Sequence, residues 1–153
     1  MPGRREHQKT GGPVGALAAL GFAAEQPPAL ALVEIIGGWY AGERCASLPD
    51  AIEPATSSHH RNVAHGMVPT AYASTLAFQN VGNLQSSLRT SARQCFQTAQ
   101  ASQDGLQQLV CSVVGVLLHF AAGAAPAVPA SYAAHVMLDA ATPRGVPLLT
   151  RGL

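Results

Sequence analysis

The chain has 153 residues, 48% hydrophobic and 11% charged, with nine Lys plus Arg against eight Asp plus Glu. That is room for one hydrophobic core. A net charge of +1 supplies almost no field for phosphates, which excludes a nucleic-acid binder and a charge-driven disordered tail.

Residues 1–28 read as a flexible or signal-like N-terminus. Arg4, Arg5 and Lys9 precede an apolar run over 14–24 that ends in small residues, the order of a secretory signal. Glu6, Gly11, Gly12, Pro13 and the bulky Phe22 depart from that pattern. Pro27 and Pro28 then open an apolar segment over 29–41 that predicts a short helix ending at Gly37 and Gly38, with Trp39 and Tyr40 as anchors against a longer helix. Residues 48–67 form a polar connector.

No proline falls between Pro69 and Pro126. Proline inside a helix costs about 3 kcal/mol, so this window is where a long helix belongs. A stripe at steps of three and four supports it: Phe78, Val81, Leu88, Ala92, Cys95, Ala99, Ser102, Leu106, Leu109, Val113, Val116 and Phe120. Unbroken, the helix over 70–120 would be about 75 Å long. Asp104-Gly105 is a turn-favouring pair, so the same stretch also fits two antiparallel helices hinged there. The stripe is small in its middle and larger at its ends. An Ala-lined seam buries little apolar area and needs a tight partner or a repeating assembly. Arg89, Arg93 and Asp104 are the only charges over 70–125, while eight glutamines, from Gln79 to Gln108, decorate the rest. A surface without mixed charge does little to oppose self-association.

Residues 109–125 carry no charge and reach the lower length limit of a membrane span. From Pro126 onward the residues form an Ala/Pro-rich tail, 126–153, with one short amphipathic segment over 131–140. The expected fold is therefore all-α: one long or hinged Ala/Gln-rich helix, a shorter N-terminal helix and loosely ordered flanks, the helical region spanning 29–125.

Catalytic punctuation is absent. The chain has no G-x-S-x-G elbow, phosphate-binding loop, G-x-G-x-x-G turn or H-E-x-x-H pair. No two acids share a predicted face, so no enzyme activity is expected. Cys45, Cys95 and Cys111 show no C-x-x-C spacing and read as free thiols of a reducing, cytoplasmic compartment. His59, His60 and His65 are the one ligand-like cluster, but they sit in a loop without a rigid scaffold, so neither a metal nor another cofactor is expected.

The order Asp50-Ala51-Ile52, then Pro69 opening an Ala/Gln-rich helix with Phe78-Gln79 and Ala99-Gln100, closing on Gly115-Val116-Leu117-Leu118, resembles the killing-trait proteins that build bacterial R-bodies. The resemblance covers residues 50–118 and implies a structural assembly role with no catalytic residues. The mid-helix departs from that family's pattern: Gln94-Cys95 stands where an Asn-Ala and consecutive glutamines would be. Three functional expectations follow. The first is a non-enzymatic helical protein that associates with itself or a helical partner through the stripe. The second is a small membrane-associated protein with one span over 109–125, and the third is a chance-composition reading frame without a selected function.

Overall fold

The computed structural model describes residues 4–53 and 64–141. Its elements are α1 (Arg4–Ala23), α2 (Pro28–Cys45), α3 (Leu48–Ile52), α4 (Met67–Ala101) and α5 (Gly105–Ala140), with no strand among the described residues. The chain is all-α, and its long helical stretch is hinged. Helix α5 is the axis, packed on by α1, α2, α3 and α4.

The hinge lies where Asp104-Gly105 placed it. Ser102 leaves helical geometry at φ −77°, ψ 144°, and the Asp104 carboxylate accepts from the Leu106 N–H at 3.0 Å, capping α5. Gln108 Nε2 donates to the Ser102 carbonyl at 2.7 Å, so the turn satisfies its own backbone. Chain reversal then makes α4 and α5 an antiparallel pair, with Phe96 against Gly115 and Gln85 beside Ala122.

Helices α1 and α2 form a second antiparallel pair at backbone contact. Gly11 faces Gly42 and Gly15 faces Gly38, and a Cβ at any of the four would collide with the opposite helix. This corrects the expected helix end at Gly37-Gly38. Each glycine costs about 1 kcal/mol of helix propensity, but here it admits a neighbouring backbone, so α2 continues to Cys45. Likewise the N-terminal unit 1–28, read as flexible or signal-like, contains α1, whose Ala19 and Ala23 are fully buried.

Prolines do not end α5 either. It runs through Pro126 and Pro129 to Ala140, so the boundary expected at 125 is not an element boundary and 126–140 is bundle rather than tail. Both prolines are buried. The flanks 1–3 and 142–153 lie outside the described residues.

The interior is unusual in composition. Among the described residues its buried apolar side chains are mainly alanines, with Val81, Val136, Pro49, Pro126 and Pro129, while Glu34, His65, Gln85, His119 and His135 rank among its largest fully buried side chains. No leucine, isoleucine, phenylalanine, tyrosine or tryptophan among the described residues is fully buried; they are half-buried or exposed. The stripe shows the same division. Val81, Ala92 and Ala99 on α4 are buried, but beyond the hinge Leu106 and Leu109 are 68% and 62% exposed, and Val113 and Val116 also face out. Trp39 and Tyr40 are half exposed rather than core anchors.

The inward face of α5 is instead Gly115, His119, Ala122, Gly123 and Pro126. Gly115 and His119 sit one residue, and hence about 100°, from Val116 and Phe120 of the stripe. Size decided this. Gly115 receives the Phe96 ring and Gly123 lies on the Glu34 backbone, positions that a valine or phenylalanine cannot occupy.

Candidate functional site

Two polar centres lie along the inward face of α5. The upper one joins three helices. Glu34 of α2 is wholly buried and accepts two hydrogen bonds from Arg89 of α4, Nε to Oε1 at 3.0 Å and Nη2 to Oε2 at 2.6 Å. The same Nη2 donates to the Phe22 carbonyl at 2.8 Å, placing a cation at the C-terminal end of α1. His119 of α5 donates from Nδ1 to Glu34 Oε1 at 2.8 Å, and its ring stacks on Phe96 at 6.1 Å. Thus Arg89, which on an isolated helix would merely repel Arg93, is half of a bidentate pair. Removing either partner of such a pair strands a buried charge, at a cost of about 3–5 kcal/mol.

The lower centre gathers four parts of the chain. His7 comes from α1, Asp50 from α3, His65 from the turn before α4, and His135 and Asp139 from successive turns of α5; Glu53 follows α3. His7, His65, His135 and Asp139 are all buried, whereas the Asp50 side chain is 40% exposed and forms the solvent rim. The His7 ring stacks on His135 with centroids 3.8 Å apart.

Hydrogen bonding sets the orientation of the rings. His135 Nδ1 lies 2.5 Å from the carbonyl of Ala46, the C-cap of α2. A carbonyl only accepts, so Nδ1 carries the proton and, in the neutral ring, Nε2 presents a lone pair. That Nε2 is buried with no hydrogen-bond partner, 3.6 Å from Asp50 Oδ1 and 3.7 Å from Asp139 Oδ2. Burial pushes the His135 imidazole below its ordinary range, helped by the neighbouring His7; the Ala46 bond and the two carboxylates oppose this. His65 differs in that both ring nitrogens have carboxylate partners, Nδ1 with Glu53 Oε2 at 3.2 Å and Nε2 with Asp50 Oδ1 at 3.3 Å, and Nε2 also lies 3.8 Å from Asp139 Oδ2. His7 Nε2 is 3.6 Å from Asp139 Oδ1. These side chains are of the types that hold a divalent metal.

Comparison of the chain with protein-family models, with characterised proteins and with solved structures gives no match. The centres are therefore interpreted from their geometry alone.

Of the histidines singled out in the connector, His59 and His60 lie outside the described residues, and His65 is at the heart of the lower centre. No two acids share a predicted face, yet the fold brings Asp50, Glu53 and Asp139 together around His65. His7, His135, Asp139, Glu34 and Arg89 carried no sequence motif, and Asp50 stood out only in the Asp50-Ala51-Ile52 order. The single local signal is His135 and Asp139 at i, i+4, which shares a helix face. Elsewhere, burial raises the Cys45 thiol and, with the Glu53 charge, the Tyr132 phenol; Tyr132 donates to the Ala64 carbonyl at 2.7 Å and ties α5 to the turn before α4.

Proposed function

We propose that this chain is a non-enzymatic helical assembly protein whose α4–α5 hairpin end is covered by a second copy. The observation that supports it is the outward half of the stripe. Residues 103–110 are all exposed, and Leu106, Leu109, Val110, Val113 and Leu117 leave one side of α5 apolar and uncovered. A patch of that kind marks an interaction surface. Its border favours protein over lipid: the exposed Gln97, Gln100, Gln103 and Gln107 make a polar, uncharged rim that can exchange hydrogen bonds with another copy. Assembly is also the role implied by the resemblance of 50–118 to R-body proteins.

A second reading, a membrane-associated protein with a span over 109–125, rests on one observation. Helix α5 is long and apolar enough to cross a bilayer, and its most apolar window is only 28% buried.

Light scattering coupled to gel filtration tests the first reading. The parent chain runs as a dimer or larger species, and Leu109→Glu/Val113→Glu runs as a helical monomer. A parent that stays monomeric at high concentration overturns assembly. Retention in the membrane fraction after carbonate extraction supports the span instead.

A further inference from the structure

We propose that His65, His135, Asp50 and Asp139 form a zinc site that pins α3 and the turn before α4 to the C-terminal part of α5. The proposal is independent of self-assembly and rests on distances. Zinc in a tetrahedral site lies 2.0–2.1 Å from nitrogen and oxygen ligands, so ligand atoms sit about 3.3–3.4 Å from one another. Between the Nε2 atoms of His65 and His135 and the carboxylate oxygens of Asp50 and Asp139, the four separations are 3.3, 3.8, 3.6 and 3.7 Å. Three of these are too long for hydrogen bonds. They are four of the six edges of a ligand tetrahedron, and the ligand atoms of Asp50, His65 and His135 all lie within 4.8 Å of one another.

A neutral His135 bonded to the Ala46 carbonyl turns its Nε2 lone pair, buried and without a hydrogen-bond partner, toward two carboxylates. Lone pairs facing anions repel, and a cation between them reverses the sign. The outer contacts match as well. Ligating imidazoles hold their second nitrogen on a carbonyl or carboxylate; here His135 Nδ1 has Ala46 and His65 Nδ1 has Glu53. His7 stacks on His135 and lies beside the other oxygen of Asp139, positioning both. Four protein ligands leave no open position, the pattern of a structural rather than a catalytic zinc. The exposed rim at Asp50 gives an entry path.

The test titrates the full chain, stripped with a chelator, with Co²⁺ as a visible probe and then with Zn²⁺. One Co²⁺ per chain is expected, with the intense visible bands of tetrahedral cobalt, displaced stoichiometrically by Zn²⁺ and accompanied by a higher melting temperature. Asp139→Asn and His135→Gln weaken binding about 100-fold, and Glu53→Gln about 10-fold. If the buried variants do not fold, Asp50→Asn at the rim serves, with the loss of the tetrahedral spectrum as its readout. Glu34→Gln, in the upper centre, leaves affinity unchanged wherever the variant remains folded. The site is refuted by absence of stoichiometric binding, by a pale octahedral spectrum, or by parental affinity in Asp50→Asn. Oligomeric state measured on the same samples reports on assembly separately.

Discussion

Gln85 Nε2 donates a 2.8 Å hydrogen bond to the Ala122 carbonyl, the very group that Pro126, four residues on, has no N–H to reach. Gln85 is 1% exposed. A buried carbonyl without a donor costs about 1–3 kcal/mol, so the glutamine of one helix makes good the proline of the other. Gln85→Met should therefore lower stability by about 1–3 kcal/mol in denaturant titration. With Pro126→Ala, which restores the backbone donor, the penalty of Gln85→Met should shrink to well under half. An undiminished penalty in that background would show that the bond does not substitute for the missing one.

The Glu34–Arg89 pair makes a second coupled prediction. Glu34→Gln and Arg89→Met should each destabilise the bundle by about 3–5 kcal/mol, since each leaves a buried group without its counter-charge. The double variant should lose clearly less than the sum. Arg89→Met also removes the donor to the Phe22 carbonyl, so the C-terminal end of α1 should gain the fastest amide exchange of that helix.

On α4 Val81, Ala92 and Ala99 of the stripe are buried, and on α5 Leu106, Leu109, Val113 and Val116 are exposed, so equal substitutions at the two sets should act differently. Ala92 is fully buried, and Ala92→Glu places a carboxylate in the packed interior. Loss of helical circular dichroism or a steep fall in melting temperature is expected there. Leu109→Glu should keep both and change only association. A parental melting curve for Ala92→Glu would contradict the observed facing of α4.

Cys45 supplies a pH-dependent measurement. Burial raises its thiol above the ordinary value, so at any pH below that raised value less thiolate is present than in a free cysteine. Its alkylation at pH 8 should be slower than that of a small-molecule thiol and should accelerate on unfolding in urea. A native rate equal to the unfolded one would mean that the thiol is not desolvated.

Packing of α1 on α2 depends on glycine. Gly15→Ala and Gly38→Ala each put a methyl group into the opposite backbone, whereas Gly82→Ala meets nothing within 4 Å and removes a poor helix former. The first two should destabilise despite better propensity, and Gly82→Ala should stabilise by up to about 1 kcal/mol in thermal unfolding. The opposite order would place the close contact elsewhere.

What local sequence determined is helicity and its interruption. The proline-free window, the four-three stripe and Asp104 as a cap located the hinge, because propensity and capping act over a few residues. Only the tertiary structure decided which face of α5 turns inward, and why Pro126 and Pro129 do not end it. Periodicity records apolar side chains along a helix without regard to the space opposite them, and here the space admits Gly115, Ala122 and Gly123 but not Leu109 or Val113. The lower centre was illegible for the same reason. His7, Asp50, His65 and His135 are scattered over more than 120 residues, and no local rule brings them together; the glycine contacts between α1 and α2 and the continuation of α5 past its prolines do.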